Sequence, residues 1–212
     1  MIKPKPFFVL TPKCETEYCW LVEPDTAFNK EPEWKGNFLL NAEDEKTDQF
    51  LQEIEAGFTS WKQQLKAAEP DKTFKLAEPR YGFAEKNNKP IIRVKTKKNV
   101  KARGRDGKEF ENTPPLLFNK YGEPIVGAER QEYKGIGEGS IVQVKLRCCG
   151  YSHPIHGVGM TIQPQQIMFF KFVPYEKEAD LTGFAVEKRT ATSDAPDLDP
   201  SNIENSFGGS TF

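Results

Sequence analysis

Residues 141–151, IVQVKLRCCGY, and 160–175, MTIQPQQIMFFKFVPY, are two long runs whose β-branched and aromatic content suits strands of a packed barrel. Between them they commit the chain to a mainly β fold. Shorter strands precede them. Residues 17–23, EYCWLVE, read as a strand that stops at the Pro24-Asp25 turn signal, and a polar loop with Pro32 leads to a second strand in GNFLLNAED. IIRVKTK alternates Ile92, Val94 and Thr96 with Arg93, Lys95 and Lys97, a period of two that places three cations on one strand face. PPLLFNKYGEPIV reads as strand, turn, strand, YKGIGEGS as a loop, and the last strand ends near Pro174.

One stretch changes period. In TDQFLQEIEAGFTSWKQQLKAA, residues Phe50, Leu51, Ile54, Phe58, Trp61 and Leu65 share one helical face, with Thr47 as predicted N-cap and Pro70 as stop. About five strands or a few more with one inserted amphipathic helix predict an OB-fold-like Greek-key barrel, and a β-sandwich with an appended helix fits almost as well. The predicted domain covers residues 1–176. Residues 177–212, low in hydrophobicity and rich in Asp, Pro, Ser and Asn towards the end, predict a flexible acidic C-terminal tail.

The formal net charge of -1 conceals strong segregation. Residues 86–108 hold Lys86, Lys89, Arg93, Lys95, Lys97, Lys98, Lys101, Arg103, Arg105 and Lys108 against Asp106 alone. From Thr190 to Phe212 there are four acids, Asp194, Asp197, Asp199 and Glu204, and no Lys or Arg. A basic strand and loop beside an acidic tail point to a polyanion partner with self-screening. The helix is acidic at its start and offers no major-groove reader. A barrel with a basic strand suits single strands, because cations track the backbone while exposed rings stack on unpaired bases. The rings in polar, loop-like settings are Trp34, Tyr81, Phe83 and Tyr151, and Lys35, Arg80, Lys86 and Arg147 lie near them in sequence.

Taken in order, VEPDTAFN, KGNFLLN, the helix near TDQFLQEIEA, IIRVKTK, LLFNKYGEPI, GSIVQVKLRCCGY, QQIMFFKF and an acidic tail ending in Phe resemble the replicative single-stranded DNA-binding proteins of lytic tailed phages, the coliphage T-seven type. The resemblance spans about Leu21 to Phe172. It implies an OB barrel in the host-cell cytoplasm that coats and protects single-stranded DNA during phage replication and recombination. It also implies recruitment of replication proteins, such as DNA polymerase or helicase-primase, through the C-terminus. Tyr151 falls where the family carries a stacking tyrosine, and Arg93, Lys95 and Lys97 fall on its basic strand. The chain departs at His153, where a larger aromatic is the family pattern, and in the sparseness of its acidic tail. The predicted DNA-binding set is Trp34, Lys35, Arg80, Tyr81, Phe83, Arg93, Lys95, Lys97, Lys98, Lys101, Arg103, Arg105, Arg147, Tyr151 and His153. In the tail, Asp194, Asp197 and Asp199 would imitate the DNA backbone, and Phe212, with Phe207, would anchor a partner. A homodimer is left open.

Rival chemistry is weak in this sequence. Pro24-Asp25 with Glu33-Trp34-Lys35 has the letters of a metal-dependent nuclease, but both halves are predicted in or beside one proline-containing loop. Cys148, Cys149, His153 and His156, even with Cys14 and Cys19, are zinc-type ligands without a CxxC pair, and adjacent cysteines on a strand point to opposite faces. No GxSxG elbow occurs, and GIGEG lacks the Lys-Ser/Thr of a phosphate loop. The prediction is a protein that is not an enzyme and needs no cofactor or metal. An RNA-binding barrel or a protein-interaction module is the alternative. The start, MIKPKPFFVL, has no long apolar run, no stretch approaches the roughly 18 apolar residues of a membrane helix, and no membrane partner is predicted.

Overall fold

The structure, a computed structural model, describes residues 5–27, 31–70, 73–103, 107–153 and 155–175. In chain order the elements are β1 (Phe7–Leu10), β2 (Cys14–Asp25), β3 (Glu33–Asn41), α1 (Glu45–Ala68), β4 (Tyr81–Lys86), β5 (Lys89–Asn99), β6 (Lys101–Arg103), β7 (Glu109–Glu111), β8 (Leu116–Phe118), α2 (Gly127–Glu132), β9 (Ile141–His153) and β10 (Gly157–Lys171). The main sheet runs β4-β5-β3-β2-β9-β10-β8, and β1 shares with β2 the edge of β9. β6 and β7 form a separate hairpin.

β5 and β10 lie against each other without a backbone ladder between them. The sheet therefore curls into a partly open, OB-like barrel whose seam is spanned by side chains, with Lys98 Nζ donating to Gln165 Oε1 at 3.5 Å. Two irregularities help it curl. The β2–β3 register gains an extra β2 residue between Glu17 and Trp20, and the β9–β10 register shifts between Pro164 and Gln166. Bulges of this kind bend a strand and increase its twist.

The core follows the period of two. Leu21, Phe38, Leu40, Ile92, Val94, Val142, Val144, Leu146, Ile162 and Ile167 all point inward and are buried. α1 packs on β1 and β9 through an apolar stripe that includes Phe50, Ile54 and Trp61. Gly150 is required beneath Trp61, because a Cβ there would lie 2.2 Å from the indole carbons.

Several predicted boundaries move. Asp44, not Thr47, caps α1, accepting from the Lys46 N–H at 3.0 Å, while Thr47 is buried in the first turn. β2 begins at Cys14 and continues through Pro24 to Asp25. That proline sits in an irregular stretch of the β2–β3 ladder, where its missing N–H breaks no bond. The second strand predicted after Tyr121-Gly122 reduces to a bridge between Phe118 and Pro124, followed by α2. Among the described residues no helix is long and apolar enough to cross a membrane.

Trp61→Ala is expected to lower the unfolding free energy by about 3–5 kcal/mol. Gly150→Val, which drives a methyl into the indole, should also destabilise, and urea denaturation monitored by far-UV circular dichroism measures both.

Candidate nucleic-acid interface

On the sheet face away from the core, β5 presents Arg93, Lys95 and Lys97 in a row, as its alternation predicts. β3 sets Lys35 opposite Lys97 and Asn37 opposite Lys95, and β2 sets Trp20 opposite Lys35. Arg80 precedes β4, and its carbonyl accepts from the Lys95 N–H at 2.8 Å, which lays its backbone alongside β5. The segment before it is clipped to β10 by two backbone bonds, Ala77 N–H to Val158 O at 2.8 Å and Val158 N–H to Lys75 O at 2.7 Å. Gly157, at φ 79°, permits that approach, since a Cβ would lie 2.3 Å from Lys75 O.

Arg80 is the hub of this surface. It lines a depression with Trp20, Lys35, Lys95 and Lys97, a second with Lys97, Lys101, Arg103, Thr161 and Gln163 over the β5/β10 seam, and a third with Lys95, Tyr151, His153 and His156. Tyr151 pairs with Gly159 across β9 and β10, and a Cβ on Gly159 would meet the phenol oxygen at 2.4 Å. The glycine therefore seats the tyrosine ring. Arg147 is held by Gln163, donating from Nη1 to Oε1 at 2.9 Å.

Carboxylates temper the charge beneath this face. Arg93 pairs with Glu17 (Nε–Oε2 3.0 Å), Lys35 with Asp25 at 2.5 Å, and Lys97 with Glu33. The Lys35 ammonium beside Asp25 holds its carboxyl below the usual aspartate range. Among the described residues Arg80 and Lys95 make no ion pair.

Other members of the predicted set are buried, lie away from the depressions or are tied to acids. Trp34 faces inward and is only 5% exposed, so it is no stacking platform. Lys98 is likewise 5% exposed, because in β5 it shares the inward parity of Val94 and Thr96, and burial lowers its pKa. Tyr81 packs against the core. Phe83 is 83% exposed but does not line the depressions around Arg80. Lys86, outside that set but near the candidate rings in sequence, pairs with Glu15 and Glu138. Arg103, which lines the second depression, is paired there with Glu109 on the β6–β7 hairpin. Arg105, Asp194, Asp197, Asp199, Phe207 and Phe212 fall outside the described residues. Tyr18 and Trp20 were not among the predicted groove residues, because they sit in a run that reads as an apolar strand.

The nuclease letters prove closer in space than predicted, since Asp25 and Glu33 are cross-strand partners on β2 and β3. Both are buried and closed by lysines. Cys148 faces the core, where burial pushes its thiol up to about 12, and Cys149 takes the opposite face. The His153 and His156 rings stack with centroids 4.6 Å apart, and His153 Nδ1 accepts from the Ile155 and His156 N–H groups. Among the described residues no three His, Cys, Asp or Glu side chains converge as a metal site.

The fold is a partly open OB-like barrel similar to those of two phage single-stranded DNA-binding proteins. Superposition on gp2.5, the single-stranded DNA-binding protein encoded by bacteriophage T7, gives a TM-score of 0.59 at 15% identity over 85% of this chain and 98% of that one. The C-terminally truncated single-stranded DNA-binding protein of bacteriophage Enc34 gives 0.50 at 13% identity, over 79% and 88%. No family model matches the sequence, and no curated protein matches it.

Folding lowers the Asp25 pKa, so protonation opposes folding. The contribution of its pair with Lys35 is complete above about pH 4, the ordinary aspartate value, and disappears as pH falls through the lowered value. Asp25→Asn should therefore depress the melting temperature at neutral pH, with the gap to the native protein closing in acid. A gap that stays constant down to acid pH would refute this role of the pair.

Proposed function

We propose that the protein binds single-stranded DNA without sequence preference, as a non-catalytic coating protein of phage replication and recombination. The observation that carries this reading is that Arg80 and Lys95, which make no ion pair among the described residues, line one groove with the ring of Tyr151 on the face of an OB-like barrel. Phosphates need cations along a track and unpaired bases need ring faces, and this groove offers both. The fold shared with phage proteins that bind single-stranded DNA supports the same conclusion.

Affinity then comes chiefly from phosphate neutralisation and stacking. Titrating the full-length protein with oligo-dT and with a duplex of equal length, at several salt concentrations, tests the reading. Preference for oligo-dT with a steep salt dependence is expected. Arg80→Ala with Lys95→Ala should flatten the slope of log K against log salt by roughly 0.7 for each phosphate contact removed. Tyr151→Ala should weaken binding without changing that slope. Equal affinity for the duplex, or variants that bind like the native protein, would remove the reading.

The tail carries two separable roles in this proposal. Its acids compete with DNA for the cationic groove, and Phe212 anchors a replication partner, a polymerase or helicase-primase, once DNA has displaced it. Deleting residues 190–212 should tighten DNA binding. Deleting Phe212 alone should leave DNA affinity unchanged and abolish partner recruitment in a pull-down with the phage polymerase.

A further inference from the structure

We propose that Trp20 is a second base-stacking platform, at the end of the groove remote from Tyr151. The inference rests on the single-strand reading above and deepens it. Strict alternation along β2 from Glu17, which pairs with Asn37 on the groove face, would turn Trp20 into the core. The bulge reverses this. One extra residue between Glu17 and Trp20 brings Trp20 opposite Lys35, on the groove face, while Cys19 turns inward with its Sγ against Gly36. Tyr18 meets the bulge at φ 49°, in the left-handed region that a tyrosine enters only at a cost. Bulges that re-aim a side chain recur beside functional sites, and here the re-aimed side chain is a large indole.

The surroundings suit a nucleobase. Lys35 Nζ sits 5.3 Å from the centroid of the Trp20 ring and is steadied there by Asp25. On the groove side Trp20 shares a depression with Arg80 and Lys95, the same two cations that border Tyr151. On its other side it walls a cleft of about 530 Å³ with Tyr18, Pro24, Ile136 and Tyr175. Two rings flanking a pair of cations match the alternation of bases and phosphates along one strand.

The three tryptophans make the test direct. Trp34 and Trp61 are each 5% exposed in the core, whereas Trp20 is half-buried on the surface, so quenching of tryptophan emission by stacked bases reports on Trp20. The full-length protein is titrated with labelled oligo-dT, following anisotropy for binding and tryptophan emission for stacking. Heparin, a polyanion without bases, serves as the control. The native protein should be quenched by oligo-dT and not by heparin. Trp20→Phe should bind nearly as tightly and lose the quenching. Trp20→Ala should bind about 5- to 150-fold more weakly, and Trp20→Phe keeps the test decisive if the alanine variant fails to fold. Binding by anisotropy with full quenching retained in Trp20→Phe, native affinity in a folded Trp20→Ala, or equal quenching by heparin would overturn the platform alone. No binding of oligo-dT by the native protein would overturn the single-strand reading and the platform with it.

Discussion

The antiparallel register of β9 and β10 is the constraint on which both the core and the groove depend. Leu146 opposite Pro164 and Cys148 opposite Ile162 point inward, and in the same ladder Arg147 opposite Gln163 and Tyr151 opposite Gly159 point outward. A slip of one residue would exchange the two sets. The register is defended from several directions. Gly150 accepts the indole of Trp61 from α1, and Gly157 accepts the backbone of the segment leading to Arg80. Packing that stabilises the barrel thus also decides where the tyrosine and the arginine of the groove stand.

Electrostatics adds a second layer, and it differs from what a count of charges implies. The basic segment reads as a nearly unopposed positive stretch, yet folding brings acids from distant strands beneath it. Glu17 from β2 reaches Arg93, and Glu33 from β3 reaches Lys97. Asp25 at the end of β2 reaches Lys35. These pairs hold long side chains in place and lower the field that an approaching polyanion meets. Among the described residues, Lys75, Arg80 and Lys95 line the depression beside Tyr151 without an ion pair. The carboxylates also keep neighbouring lysines from repelling one another before any ligand arrives.

Elements defined by local pattern were legible in the sequence. The two long strands, the cationic face of β5 and the body of α1 all follow from period and composition, and Tyr151 was placed by resemblance. What was not legible depends on tertiary context. Trp34 lies in a polar-looking sequence, but β3 starts three residues earlier than the glycine suggests, and its parity turns the indole inward. Lys98 follows the same logic at the end of β5. Asp44 displaces Thr47 as cap because the helix begins sooner. Trp20 was hidden for the opposite reason, since only a bulge invisible in the residue pattern brings it to the surface.

Bulge and register together account for the proposed mode of recognition. A surface meant to read sequence would array donors and acceptors against base edges, with geometry set to fractions of an ångström. The groove around Arg80 instead offers aliphatic-stemmed cations and two ring faces, groups that accept any base and any phosphate. Gly159 seats Tyr151, and buried carboxylates hold Lys35 and Lys97, so no side chain there depends on a partner that a particular base would have to replace. A strand could then slide from one register to the next with little change in contact energy. The coating of single strands proposed above demands that tolerance.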